Sequence, residues 1–244
     1  MRQVIHSPAI MLHHVRYGDN GVVVKLYVRN TGLKSFMIKG LGSKKALVRP
    51  AYLQPLTLLE IIFEDIPHRE LLHLKDARLY RYTESLHSSV VKTAIAFFMT
   101  EVIQRSIREF ETNTEMFDFL ENAIIQLNKS QEQLSEFPLW FLLRLARYLG
   151  FQPLNNASTQ KPWFDLGAGS FTDIPPVGES SMILEKEVSS DFALMLTSYT
   201  SDQYLHVRFT HRKYLLDALL YYYSIHLPEF KELKTPAIFK EIFH

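Results

Sequence analysis

Cysteine is absent from the 244-residue chain, which removes several classes of chemistry at once. There can be no disulfide framework, thiolate zinc site, cysteine nucleophile or iron–sulfur cluster. Apolar runs such as Ala94 to Met99 and Ala218 to Tyr223 are short, well below the roughly 18 residues that span a bilayer. The amino terminus lacks the pattern of a secretory signal, because His13 and His14 interrupt its apolar stretch. We therefore expect a cytoplasmic protein with no membrane span.

Acidic residues are almost missing from the start of the chain. Residues 1–50 hold nine Lys and Arg against one acid, Asp19, a net charge of +8, whereas residues 83–244 hold 14 Lys and Arg against 20 Asp and Glu, a net charge of −6. Clustered cations bind phosphates whatever the base sequence, so this asymmetry indicates a polyanionic partner. The alternative is a solvated surface that happens to be basic.

The residue pattern up to about position 82 is typical of β-strands. The links Asp19-Asn20-Gly21 and Asn30-Thr31-Gly32 are typical of hairpin turns, because Asn and Gly tolerate positive φ. About five short strands in about 80 residues predict a small closed barrel. The predicted strands are Ile10–Tyr17, Val22–Arg29, Leu33–Lys39, Leu56–Phe63 and Ala77–Tyr82.

Period-two alternation separates the two faces of these strands. Val24, Leu26 and Val28 share one side of their strand, and the residues between them share the other. The barrel is thus expected to carry a basic outer surface with an exposed aromatic ring, suited to a phosphate backbone with stacked bases. The predicted DNA-binding residues are Lys25, Tyr27, Arg29, Lys34, Lys39, Lys44, Lys45 and Arg49.

From about residue 84 the pattern becomes helical. Stripes of apolar residues, capping signals and proline stops predict helices over about 88–110, after Thr112–Glu115, over Phe137–Leu149 with Gly150 as its C-cap, over about 204–226 and near 236–243. The predicted fold class is therefore multidomain α+β, with a barrel domain at 1–82 and a mostly helical domain at 83–244. Tyr214, Tyr221, Tyr222 and Tyr223 have the spacing of a packing stripe, although a base-stacking ladder is the alternative.

A segment rich in proline and glycine, Gln152–Ser181, interrupts the helical region and has no sustained period. We expect it to pack Trp163, Phe164 and Phe171 against the helices. The five-residue spacing of His206 and His211 places them on different faces of a helix, which disfavours a shared metal. We expect no metal, no cofactor and no small-molecule substrate.

Several runs together resemble one protein family. They are Tyr17-Gly18-Asp19-Asn20, Val23–Tyr27, Thr31-Gly32-Leu33-Lys34, Lys39–Lys45, Tyr52–Glu60, Lys92–Phe98, Phe117–Leu120, Leu145–Phe151, Trp163–Leu166 and Gly169–Phe171. In number and order they resemble RecO, the family of bacterial recombination mediators. The likeness covers nearly the whole chain. It departs from the family pattern at Gln152–Ser181, where many relatives carry a four-cysteine zinc module.

The resemblance implies an amino-terminal OB-fold, binding of single- and double-stranded DNA, and annealing of complementary strands. It also implies cooperation with RecR to load RecA onto DNA covered by single-stranded DNA-binding protein, and a place on the nucleoid. The helical domain of the family binds the acidic, phenylalanine-ended tail of that protein. The candidate anchors here are Arg144, Arg147, Arg208, Arg212, Lys213 and Lys234, although pairing of these cations with nearby acids is the alternative.

The sequence therefore predicts a DNA-binding recombination mediator that is not an enzyme. A protein-interaction adaptor, acting through its helical domain without DNA affinity, is the alternative from another class. A nuclease would need clustered acids for metal ions, and the barrel has only Asp19 in its first 50 residues.

Overall fold

A computed structural model describes residues 3–18, 21–40, 48–107, 112–131, 134–178, 182–198, 209–230 and 233–235 of the chain. The described chain forms two compact units. The first runs to Ser130 and takes in Thr235, and the second runs from Gln131 to Lys234.

Five strands close a barrel in the first unit. They are β1 (Gln3–Tyr17), β2 (Gly21–Val28), β3 (Gly32–Lys39), β4 (Leu58–Asp65) and β5 (Leu71–Arg81), in the order β1-β2-β3-β5-β4. Among these five strands only the β3–β5 pairing, Ser35–Met37 against Leu71–His73, is parallel. Strand β1 pairs with β4 through Gln3–Ile10 and with β2 through Ala9–Tyr17. This topology is that of an OB-fold barrel and confirms the predicted fold class.

The barrel interior is filled by the side chains that alternation placed on one face. Val24, Leu26 and Val28 of β2 are buried there, and Phe36 meets Phe63 edge to face with ring centroids 5.1 Å apart. The predicted separation of the β2 faces is therefore confirmed. The prediction placed the start of β5 too late, at Ala77 instead of Leu71, because the β4–β5 register shifts at Ile62/Phe63 and breaks the simple period.

The run Tyr52–Glu60 contains a turn on which the barrel depends. The Thr57 N–H donates to the Gln54 carbonyl over 3.2 Å, and the Thr57 hydroxyl donates to the same oxygen over 2.7 Å. Leu56, which follows Pro55, has a φ of +60°, a left-handed value that is rare for bulky residues. Leu56 is fully buried, and its N–H donates to the Met11 carbonyl over 2.7 Å. The turn is therefore docked onto β1.

The described part of the first unit also contains three helices: α1 (Glu84–Ser88), α2 (Val90–Ser106) and α3 (Thr114–Lys129). The predicted capping sequence does begin α3, with Asn113 as the N-cap, whose side-chain oxygen accepts from the Met116 N–H over 2.8 Å. These helices lie in the same compact unit as the barrel. The change from strands to helices thus falls near residue 83, whereas the division into compact units comes after Ser130.

The second unit contains α4 (Phe137–Tyr148), β6 (Trp163–Asp165), β7 (Ser170–Thr172), α5 (Lys186–Ser198) and α6 (Phe209–His226). Gly150, with a φ of +83°, ends α4 as predicted, and the Phe151 N–H donates to the Ala146 carbonyl over 3.1 Å. Helix α5 was not predicted. The helix predicted near 236–243 lies outside the described residues, as does the start of the one predicted over 204–226.

The segment after α4 is held by aromatic packing. Phe164 and Phe171 face each other across the β6–β7 hairpin and are buried, and Phe164 also meets Phe192 with ring centroids 4.6 Å apart. Trp163 is only half-buried. Phe164 thus packs against a helix as predicted, since Phe192 belongs to α5, whereas Phe171 packs against Phe164. The expected absence of zinc here stays a prediction.

Tyrosines of α6 divide into two groups. Tyr222 and Tyr223 are core residues, and their hydroxyls donate to the Phe151 and Leu142 carbonyls, each over 2.6 Å. Burial raises the pKa of Tyr222 to about 12. Tyr214 and Tyr221 are exposed, so the prediction that all four pack in the core is wrong for these two. They lie seven residues apart and therefore share one face of the helix.

Lys92 is a buried cation that joins α1, α2 and α3. Its Nζ donates to the Ser85 hydroxyl and to the Asn128 carbonyl, each over 2.7 Å, and the residue is 5% exposed. Burial lowers the pKa of Lys92. Because Asn128 belongs to the last turn of α3, the ammonium group caps a carbonyl that has no partner within the helix.

Replacement of Lys92 by Met should lower the free energy of unfolding by about 1–3 kcal/mol, because two partly buried acceptors lose a charged donor. Denaturant unfolding followed by circular dichroism measures this change. Lys129→Met is the control, since Lys129 is exposed at the end of α3, the helix whose carbonyl Lys92 binds, and it should change stability by less than about 0.5 kcal/mol. Equal effects of the two substitutions would contradict a capping role for Lys92.

Candidate nucleic-acid interface

The outer face of β1, β2, β3 and β5 forms one continuous surface. The pairing registers place Val15, Val23, Met37 and His73 in a single row across the four strands. Rows on either side of it contain His13, Lys25 and Ser35, and Tyr17, Gly21 and Lys39. We call this surface the strand face. Tyr17 is 65% exposed and Val15 is 55% exposed, so apolar surface lies between the cations.

The charged groups of the strand face are basic. His13 pairs with Lys25 across the β1–β2 ladder, and His14 follows it on the bulged part of β1. The pKa of His13 is lowered, first by burial and then by the neighbouring positive charges of His14 and Lys25. Burial is the largest cause of the shift, and repulsion among the cations adds to it. An approaching phosphate would relieve that repulsion.

Lys25 and Lys39 are the predicted DNA-binding residues that lie on the strand face. Lys39 is exposed at the end of β3, opposite Gly21. Arg49 is also exposed, just before the short 3-10 helix Pro50–Leu53. Lys44 and Lys45 lie outside the described residues.

Lys34 is on the other side of its strand. It is two residues from Phe36, on the side that faces the barrel interior, and its Nζ is 3.5 Å from the Asp65 carboxylate. Alternation alone would have placed it there, because Lys34 and Phe36 share a parity. Its predicted contact with DNA would therefore have to come from the end of the barrel.

Tyr27 is buried, so the prediction of an exposed stacking ring is wrong. It is 1% exposed, its ring stacks on Phe117 of α3 with centroids 6.0 Å apart, and its hydroxyl donates to the Asn113 carbonyl over 3.3 Å. The side chain does point outward from the barrel, as alternation predicts. Helix α3 covers that part of the outer surface, which a strand pattern by itself does not reveal.

Arg29 is likewise engaged by α3. Its Nε and Nη2 donate to the two carboxylate oxygens of Asp118 over 3.0 and 2.9 Å, a two-pronged ion pair. The hydrogen bonds and charge of Asp118 raise the pKa of Arg29. This pair joins the barrel to α3, and because the Arg29 side chain is still 40% exposed, its predicted contact with DNA stays a prediction.

The β4–β5 hairpin supplies cations that the sequence analysis missed. His73 lies opposite Met37 in the central row of the strand face, and Arg69 and Lys75 flank it along the chain. The segment before Ala77 was not predicted as strand, so its parity was not assigned. The available signal was the topology, because in an OB-fold the loop between strands 4 and 5 borders the face of strands 2 and 3.

The predicted peptide anchors lie in the second unit, apart from Arg208, which is outside the described residues. Arg212 is not open to a ligand as predicted: its Nη2 donates to Glu136 over 2.7 Å, and the Glu136 side chain is 4% exposed. For this residue the alternative of pairing with an acid is what the structure contains. Arg144 lies 5.7 Å from the Trp140 ring centroid, and Arg147, Lys213 and Lys234 are exposed.

Metal and membrane sites were searched over the described ranges. No group of three or more His, Asp or Glu side chains there is arranged to hold a metal ion. His211 instead bonds Asp191 through Nδ1 over 2.7 Å, and His206 is outside those ranges. None of the helices in the same part of the chain is sufficiently long and apolar to cross a bilayer.

Comparison with known proteins was made over the whole chain. Residues 1–83 match the family described as "Recombination protein O N terminal", and residues 87–159 match "Recombination protein O C terminal". The DNA repair protein RecO of Christiangramia forsetii is 34% identical over 241 residues, covering 98% of this chain and 99% of that protein. The proteins of the same name from Bacteroides fragilis and Flavobacterium psychrophilum are each 32% identical, over 96% and 98% of this chain and 97% and 99% of their own lengths. With the barrel topology and this near-complete coverage, the chain belongs to the RecO family of DNA repair proteins.

Proposed function

We propose that the protein binds single- and double-stranded DNA through the strand face and anneals complementary strands. The observation that carries this proposal is the row of outward residues across β1, β2, β3 and β5, with Lys25 and Lys39 on either side of it and exposed Tyr17 at one end. Cations beside accessible apolar and aromatic surface suit a flexible phosphate backbone with unstacked bases. Family membership supports the same interpretation.

The proposed role is that of a mediator and not of an enzyme. It would act in the cytoplasm on the nucleoid, with RecR, to help RecA replace single-stranded DNA-binding protein. Binding and strand alignment need charge and shape, whereas hydrolysis of DNA would need positioned metal ions or a nucleophile. If the protein were instead an adaptor acting through its helical region, the strand face would have no measurable affinity for DNA.

Reversal of charge at Lys25 and Lys39, both to Glu, should weaken binding of a labelled single-stranded oligonucleotide. The logarithm of the affinity should also depend less steeply on the logarithm of salt concentration, by about 0.7 for each phosphate that the protein no longer neutralises. Fluorescence anisotropy at several salt concentrations measures both effects. The control is Lys161→Glu with Lys186→Glu, which changes the net charge equally at exposed lysines of the second unit.

Equal weakening by the two double variants would mean that overall charge and not the strand face determines binding. A wild-type protein with no salt-dependent affinity would contradict DNA binding and favour the adaptor. A separate triple variant, with Lys39, Lys44 and Lys45 each changed to Glu, tests the predicted loop lysines in the same assay and should also weaken DNA binding.

Binding of DNA should strengthen as the pH falls from about 7 through and below the ordinary pKa range of histidine. The pKa of His13 is lowered in the free protein, and a nearby phosphate raises it, so binding takes up a proton and is favoured by acid. One such proton changes affinity by at most tenfold per pH unit. Anisotropy titrations should show a shallower pH dependence for His13→Gln, but not for His87→Gln, a half-buried histidine of α1. An unchanged profile for His13→Gln would contradict placement of phosphate beside this residue.

We further propose that the second unit binds an acidic peptide that ends in phenylalanine, as the tail of single-stranded DNA-binding protein does. Arg144 beside Trp140 is the strongest local support, because such a ligand needs an apolar surface with cations around it. Arg147, Lys213 and Lys234 are exposed candidates for the carboxylates.

Changing Arg144 and Arg147 to Ala should weaken binding of this peptide by about 1 kcal/mol or more, as removal of a charged hydrogen bond would. Isothermal titration calorimetry measures the affinity, and the Lys25 and Lys39 double variant should bind the peptide normally. Arg212→Ala should chiefly lower stability, because it leaves buried Glu136 without that ion pair. Peptide binding that follows the barrel lysines would show competition for the DNA surface instead.

A further inference from the structure

A small cavity lies beside the β4–β5 hairpin, at the β5 edge of the strand face. Its volume is about 160 Å³, and its lining includes Glu64, Ile66, Arg69, His73 and Lys75. His73 connects it to the central row, because this residue lies opposite Met37. A drug-sized ligand needs about 300 Å³ or more, so the cavity suits a small polar group.

The hairpin turn that borders the cavity has an unusual backbone. The Arg69 N–H donates to the Ile66 carbonyl over 3.1 Å, and His68, which follows Pro67, has a φ of +63°. Glycine or asparagine usually occupies this turn position. The Nε of Arg69 donates to the Leu71 carbonyl over 2.9 Å, which fixes the plane of the guanidinium and leaves its two terminal nitrogens as donors for a ligand. The turn therefore holds an arginine in a defined orientation at the mouth of the cavity.

The charges around the cavity favour an anion but include one competitor. Arg69 and Lys75 are cations, and the His73 ring carries at least one N–H donor. The Lys75 Nζ is 3.0 Å from the Glu64 carboxylate, and both side chains are partly exposed. Exposed ion pairs of this kind are weak and exchange readily with other anions. A phosphate group could therefore take the place of Glu64 on Lys75 while Arg69 donates from the other side.

We propose that this cavity is a phosphate subsite of the strand face, in which Arg69 and Lys75 bind a phosphate group of the nucleic acid and Glu64 competes with it. This inference rests on the proposed function, since it extends the DNA path from β2 and β3 to the β4–β5 hairpin. It assigns a role to residues that charge counting over the first 50 positions leaves out. It also assigns Glu64 an opposing effect on affinity.

The test measures binding of a single-stranded oligonucleotide to Arg69→Gln, Glu64→Gln and a control, Arg78→Gln. Arg78 is an exposed arginine of β5 that pairs with Asp76 and does not line the cavity. At about 0.1 M salt, Arg69→Gln should weaken binding about fivefold and lower the salt slope by about 0.7, as expected when one phosphate is no longer neutralised. Glu64→Gln should tighten binding about twofold to fivefold. Arg78→Gln should change neither quantity.

Each measurement is made with 5′-phosphorylated and unphosphorylated oligonucleotides of the same sequence. Equal effects on both assign the subsite to phosphates within the strand, and effects confined to the phosphorylated strand assign it to the terminal phosphate. If neither Arg69→Gln nor Glu64→Gln alters binding to either oligonucleotide, the subsite does not exist. The Lys25 and Lys39 double variant in the same assay separates absence of the subsite from failure of the strand face. If the strand face binds DNA, this variant weakens binding whether or not the subsite exists.

Discussion

The parallel pairing of β3 with β5 is the constraint on which the rest of the first unit depends. It consists of three residue pairs, Ser35–Met37 with Leu71–His73, whereas the other pairings of the five described strands are antiparallel and longer. Without it the five strands would form an open sheet with two exposed edges. Closure buries Phe36 against Phe63, and it also brings His73 beside Met37 on the outside. Closure of the barrel by the β3–β5 pairing therefore forms both the core and the candidate interface.

Strand β4 has the same kind of turn at both ends, in which a proline is followed by a residue with left-handed φ. Leu56 follows Pro55 just before the strand, and His68 follows Pro67 just after it, and both adopt left-handed φ values. Proline fixes φ at the first central residue of such a turn, and in the type II form the second central residue takes positive φ. At Leu56 complete burial offsets the strain. His68 is exposed and has no such compensation from burial, so its conformation is held by the hairpin itself.

Local patterns predicted most of the fold, because they depend on neighbours in the chain. Strand parity located the core side of β2, hairpin residues located the β1–β2 and β2–β3 turns, and capping residues located the start of α3 and the end of α4. Where the register shifts within β5, parity failed, and Arg69, His73 and Lys75 were missed with it. The β4–β5 hairpin could be placed beside β3 only once closure was known.

The candidate site was less predictable because its composition depends on distant partners. Tyr27 and Arg29 were assigned to the correct side of β2, yet α3 covers one and binds the other through residues about 90 positions away. Arg212 likewise forms an ion pair with Glu136, which is 76 positions away in the chain. A basic residue count indicates the sign of the field over a surface, but tertiary packing decides which cations remain for a ligand.

Chemical labelling of the buried ammonium group of Lys92 can measure local unfolding of the helices around it. An amine-reactive reagent modifies exposed lysines of the folded protein quickly, but it reaches Lys92 only when α1, α2 and α3 separate, since the Nζ is enclosed and bonded to Ser85 and Asn128. The rate at which that single amine is labelled thus follows the equilibrium between closed and open helices. The same helix α3 covers Tyr27 and binds Arg29. The labelling rate at Lys92 would therefore also report how often α3 leaves that part of the outer barrel surface exposed.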